Sequence, residues 1–381
     1  MTASSSARHL DRGYESFYNY VAGFLLAFCG ATGMPRVNRR EIIADREIQV
    51  FHVVNRCVRR THLCGKDRQS KKDYSHRREW IRQRLEFLAG VFAMDILGFA
   101  VMSNHLHVVV RTRPDVVIPW SDDDVARRWW NLFPKRKNKD KSPTEPTKEE
   151  LAKINNSPNG MKEKRRRLSN LSWFMKCLCE PIAKEANRED KVRGHFWESR
   201  YKAQPLLDEM AIAACMAYVD LNPIRAGIAE APETSDFTSA QTRIQDRQEA
   251  QSSCTAEAKA VNTEQGQRAG WLAPLELEPK QKQAREKQTA RRASNKGCLF
   301  MSLDQYLQLL DWTGRQLRRD KPGVISGDLK PIIERLDCTV ESWLDLVRNF
   351  RRRFRTEAGR PEVLAGVSAL RRNCRTSTHT S

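Results

Sequence analysis

The run from Leu97 to Arg111 constrains this chain more than any other: two apolar stretches rich in β-branched residues meet at Ser103-Asn104. Two turn-forming residues between alternating apolar segments specify a β-hairpin, here predicted over Met94 to Met102 and His105 to Arg111. Side chains alternate along a strand, so His105 and His107 point to one face while Leu106 and Val108 point to the other. A pair of imidazoles two residues apart is a metal-ligand arrangement. It is also what two hydrogen-bonded histidines on a half-exposed sheet face look like, so the rest of the chain has to decide.

At 381 residues and 40% hydrophobic content the chain can bury at least one full core, and two folded units are expected. Its formal charge of +20 calls for a polyanion. Nucleic acid fits better than a membrane, because no basic amphipathic run precedes a long apolar stretch. The ten cysteines form no Cys-x-x-Cys pair, which argues against a structural zinc site and for a reducing, cytoplasmic setting with the thiols as small apolar residues. An apolar run from Tyr18 to Cys29 is too short to span a bilayer. It could be a signal peptide, which suits unpaired thiols poorly, or translation could begin at Met34.

In chain order, Ile48 to Arg56 reads as a strand, and Ile81, Leu85, Leu88 and Phe92 mark one face of a helix. After the hairpin, residues 114–167 turn to Pro, Asn, Asp and dense charge, with runs from Lys135 to Lys141 and from Lys162 to Arg167. This is an expected insertion carrying a short helix near Val125 to Leu132; its charge runs are either solvated loop or phosphate grips. Leu168, Leu171, Met175, Leu178 and Ile182 mark a second helix that continues past Pro181, and Gly194 to Pro205 reads as a fourth strand. Strand, helix, strand, strand, helix, strand is the order of a ferredoxin-like α+β fold: an antiparallel sheet with helices on one face. The other face, carrying His105 and His107, is expected to be open.

Leu207 to Leu221 then reads as an added helix that stops at Asn222-Pro223. Tyr218 and Asn222, four apart, share a face. A helical tyrosine is ordinarily packing and an Asn before Pro ordinarily a terminator. With the histidines they make chemical sense: two neutral imidazoles and an amide oxygen can hold a divalent ion beside a phosphodiester, and a phenol can attack the phosphate so polarised. Attack by tyrosine keeps the phosphoester energy in a protein linkage, so a cut strand can be rejoined without ATP.

These motifs resemble the single-tyrosine HUH transposases, and within them the REP-associated tyrosine transposases. Four segments carry the resemblance, in the family's order: Phe51 to Arg56, Met102 to Val108, Gly194 to Lys202 and Tyr218 to Gly227. The resemblance implies metal binding (Mg²⁺ or Mn²⁺) by His105, His107 and Asn222, and a 5′-phosphotyrosine on Tyr218 formed with single-stranded DNA, with release of a 3′-OH. Arg56, Arg200 and Lys202 are candidate phosphate contacts. Trp197 and Tyr201 are read as sheet packing before base stacking, and His52 and His195 as hydrogen-bonded structural histidines. The insertion and a large C-terminal extension depart from compact members of the family.

The expected organisation is an N-terminal extension over 1–45, a catalytic domain over 46–230, a flexible linker over 231–270, a small helical unit over 271–356 and a basic tail over 357–381. The last helix of that unit, about Trp343 to Phe354, sets apolar residues beside Arg348, Arg351, Arg352 and Arg353, which suits duplex phosphate or the catalytic domain equally. The expectation for function is a transposase acting as monomer or homodimer on hairpin or repeat ends. Competing readings are a replication initiator or relaxase of the same chemistry, or a catalytically idle hairpin-binding protein.

Overall fold

Four strands, β1 (Val50–Arg56), β2 (Met94–Val101), β3 (His105–Thr112) and β4 (Lys202–Leu206), form one antiparallel sheet in the order β2-β3-β1-β4. The computed structural model describes residues 43–44, 46–58, 63–66, 71–157, 160–252, 268–276, 291–317, 339–354, 357–360 and 362–367. The apolar run from Tyr18 to Cys29 and the Met34 start lie outside them. Strand β4 is shorter than the predicted one: Gly194 takes a φ of 113°, and between it and Lys202 the chain makes only an isolated bridge, Trp197 to Cys57.

One face of the sheet buries Phe51, Val53, Leu106, Val108 and Val110 under two helices, α1 (Arg77–Val91) and, later in the chain, α5 (Leu171–Glu189). These helices contribute Ile81, Leu85, Leu88, Phe174 and Leu178, all at 0% exposure, which is the apolar stripe their periodicity predicts. Asn170 caps α5 by accepting from the backbone N–H groups of Ser172 and Trp173, and Pro181 lies inside the helix. Trp197 donates to the Cys179 carbonyl at 2.9 Å and the Tyr201 hydroxyl meets Ser172 Oγ at 2.8 Å, so both aromatics pack along α5. His195, by contrast, is exposed.

The insertion is not the expected loop with one helix. Beyond a helical turn at Pro114–Val117 it folds as α2 (Asp122–Leu132), α3 (Lys148–Asn155) and α4 (Gly160–Leu168). Two capping boxes, Ser121 with Asp124 and Thr147 with Glu150, satisfy the first N–H groups of α2 and α3. Much of the charge is paired at short range: Arg136 with Glu150, Arg165 with Asp122, and Arg166 and Arg167 with Glu163.

The expectation of an open second sheet face is overturned. Helix α6 (Glu209–Asp220) crosses it, and α8 (Leu303–Leu317) and α9 (Val340–Arg353) join α6 in a single apolar core with Leu97, Ala100 and Val109 of the sheet. Alternation along the strands could not show this, because the cover comes from outside the sheet, from α6 directly after β4 and from α8 and α9 far down the chain. Close approach depends on Gly98, where a Cβ would stand 3.1 Å from Ser239 Oγ. The stretch read as a flexible linker contains α7 (Ser239–Ser252), whose first turns are buried. In the expected tail, Ala358 exchanges backbone hydrogen bonds with Pro205 and Leu207 beside β4. The six described cysteines are all buried and free, with burial pushing the Cys177 thiol up to about 11 and that of Cys179 to about 12.

Candidate active site

Strand pairing places the site. On β3, His107 faces Val54 of β1 and Ala100 of β2, while His105 stands opposite Arg56. Lys202 of β4 lies across from Val54 on the other side of β1. Arg56, Lys202 and the two histidines therefore share one face toward one end of the sheet. His105 is half-buried, and His107 is 1% exposed. Arg200, outside the strand, is exposed.

Helix α6 brings the tyrosine. Asp208 caps its start, accepting from the Ala211 N–H at 2.8 Å, and Ala211, Ala213, Ala214 and Ala217 keep it slim enough to lie close on the sheet. Its end is held by Asp220, which is fully buried and accepts from Ser239 Oγ at 2.5 Å, the Ala240 N–H at 3.0 Å and the Tyr306 hydroxyl at 2.7 Å. Burial pushes the Asp220 carboxyl up from its ordinary range, and these donors work against that shift. The anchoring donors come from α7 and α8, so the C-terminal part of the chain fixes where Tyr218 and Asn222 sit.

The four residues singled out from the sequence come together. Tyr218 meets the His107 ring edge-on with centroids 5.7 Å apart, and the His105 and His107 rings are 4.8 Å apart. Asn222 Nδ2 lies 3.1 Å from His107 Nε2. With the Asn222 amide nitrogen in this position donating, Nε2 is the lone-pair nitrogen and Nδ1 carries the proton. That proton is directed to His52 Nε2, 2.9 Å away, with the two rings stacked at an interplanar angle of 9°. By the same logic His105 Nδ1 donates to Asn104 Oδ1 at 2.7 Å, leaving Nε2 as its lone-pair nitrogen.

This donor set fits a divalent ion. Histidine ligands ordinarily direct their second nitrogen to a hydrogen-bond acceptor that fixes tautomer and ring orientation, as His52 and Asn104 do here. A half-turn of the Asn222 amide puts Oδ1 where Nδ2 stands. Among the described residues no group of three or more His, Cys, Asp or Glu side chains converges.

Sequence reasoning missed three contributors. His52, read as a hydrogen-bonded structural histidine, is hydrogen-bonded, but to His107, a partner the sequence reading did not name; its signal was its place two residues before Val54 on the same strand face. Arg225 lies 4.8 Å over the Tyr218 ring, and its Nη2 donates to the Arg348 carbonyl at 3.0 Å. Phe350 of α9 stacks on Tyr218 at 5.6 Å and meets His52 edge-on at 6.1 Å, leaving the tyrosine 6% exposed. For that last helix the apolar side packs on the domain built around the sheet, against Tyr218 and His52; the side chains of Arg351, Arg352 and Arg353 lie outside the described residues.

No protein-family model and no curated protein match this chain. Among solved structures it is similar to one described as the structure of the REP associates tyrosine transposase bound to a REP hairpin. That likeness has 14% identity and a TM-score of 0.27, and it covers 55% of this chain and 82% of the other. Among the described residues no helix is long and apolar enough to cross a membrane.

Proposed function

We propose that this protein is a transposase that cuts and rejoins single-stranded DNA through a covalent phosphotyrosine on Tyr218. The observation that carries the reading is the convergence of a phenol, two imidazoles and an amide, from elements more than a hundred residues apart in sequence, on one face of a four-stranded sheet. We read the sheet order as ferredoxin-like, with α6 added on the site face. All four groups belong to one chain, so the proposed chemistry needs no second copy.

In the proposed reaction Tyr218 Oη attacks a backbone phosphorus and its proton passes to solvent. The bond from phosphorus to the 3′ oxygen breaks, that oxygen takes up a proton as a 3′-OH, and the 5′ phosphate stays on the tyrosine. Rejoining is the reverse with a new 3′-OH, which returns the phenol. His105, His107 and Asn222 would hold Mg²⁺ or Mn²⁺, and such an ion, when bound, polarises a phosphate oxygen. His52 keeps His107 in the tautomer whose Nε2 is a ligand. Arg56, Lys202 and Arg200 would meet flanking phosphates where the strand enters beside half-buried His105.

A second reading, a hairpin-binding protein without cleavage, is favoured by the near-complete burial of Tyr218 under Phe350. One assay separates the two. The protein is incubated with Mn²⁺ and labelled single strands copied from the flanks of its gene. A denaturation-resistant adduct that disappears in Tyr218→Phe while DNA binding persists supports the transposase; an adduct that survives the substitution places the nucleophile elsewhere, and binding with no adduct at all supports the second reading.

A further inference from the structure

On the other side of the sheet from Tyr218, the insertion and the start of α5 build an aromatic patch that the proposed reaction does not use. Trp129 of α2, Phe133 just past its end and Trp173 of α5 touch one another, with ring centroids 4.9 Å apart for Trp129 and Phe133, 5.9 Å for the two tryptophans and 6.4 Å for Phe133 and Trp173. A core explains such clusters when they are buried. This one is at the surface: Phe133 is 42% exposed and both tryptophans are only half-buried.

Cations surround it. The Arg167 guanidinium lies 4.3 Å over the Trp173 ring, and the exposed Lys176 ammonium 4.9 Å over the same ring. Glu163 holds Arg167 in place through a 2.7 Å bond to its Nε. Immediately after Phe133 the chain runs through Lys135, Lys137 and Lys139, all exposed. With its neighbours held by cations, the ring left to present a surface is Phe133, braced from beneath by Trp129.

We infer that this patch is a stacking platform for an unpaired polynucleotide strand, with Phe133 receiving a base and Lys176 and the 135–139 lysines meeting its phosphates. Every base has a π-face and every nucleotide a negative charge, so exposed aromatic rings set among cations match a single strand and discriminate little among sequences. A duplex hides its base faces in the stack and could use only the lysines. An apolar protein partner would be met by more hydrophobic area than three rings offer and by less positive charge.

The test measures binding of the full chain to fluorescent dT20, rU20 and a duplex of equal length, all in the Tyr218→Phe background so that no adduct can form and the outcome is independent of the catalytic reading. Phe133→Ala should weaken single-strand binding by about tenfold while changing duplex binding less than twofold, and Phe133→Trp should restore it. Lys176→Gln should flatten the salt dependence of single-strand binding. A loss confined to dT20 or to rU20 names which strand the platform serves. Single-strand affinity within twofold of the parent in Phe133→Ala, or an equal loss on duplex, overturns the proposal.

Discussion

The two faces of the sheet are both buried, but by different means. The face under α1 and α5 is closed by Phe51, Val53, Leu106 and Val108 against Leu85, Phe174 and Leu178, elements that neighbour the sheet in sequence. The face under α6 and α9 is closed by the helix that directly follows β4 together with α9 from the far end of the chain, and its centre is polar: His52, His107 and Gln204 are nearly as buried as the core. Polar groups survive there because they satisfy one another, His107 through His52 and Asn222, and Gln204 through the Phe354 carbonyl. An apolar face only has to be covered, whereas a polar one has to be covered by matching partners, which makes it capable of chemistry.

Three perturbations sharpen this comparison, in decreasing order of size. Phe174→Ala and Phe350→Ala remove fully buried rings, one over each face. Each should cost about 3–5 kcal/mol in urea unfolding, but only Phe350→Ala should also speed nitration of Tyr218, followed by peptide mapping. A cost below about 1 kcal/mol for Phe350→Ala would mean that α9 is a loose cover and not part of the core. His52→Ala removes the acceptor of His107 Nδ1 and should cost about 1–3 kcal/mol, with metal affinity, read by calorimetry with Mn²⁺, falling by about tenfold or more. Unchanged Mn²⁺ affinity would reduce His52 to packing.

The smallest effect concerns the insertion. The Arg166 guanidinium, then that of Arg167, holds the Glu163 carboxyl down to about 2. A carboxyl with a folded-state pKa below its unfolded one contributes stability above the ordinary glutamate range, and that contribution fades as the pH falls through about 4.3 toward the folded value. Glu163→Gln should therefore lower the urea midpoint slightly at pH 7 and by clearly less near pH 2. A gap that persists undiminished in acid would show that the carboxyl acts through packing instead.

The hairpin, the helix over Ile81 to Leu88 and the pairing of Tyr218 with Asn222 were legible because each is a local pattern with its own period. Helix α2 was expected over Val125 to Leu132, but α3 was missed although its signal was present, since Thr147 with Glu150 is a capping box set in a stretch whose charge density resembles loop. Nothing local marked Phe350 or Tyr306 as neighbours of the site.

By itself, then, the sequence determined which side chains share a strand face or a helix face, because backbone geometry fixes those spacings wherever the element lies. Which nitrogen of His107 carries its proton, what covers Tyr218 and what anchors the end of α6 were decided only by tertiary structure. Those depend on contacts between His52 and His107, Tyr218 and Phe350, and Asp220 and Tyr306, and the chain encodes such contacts only through the whole of its packing.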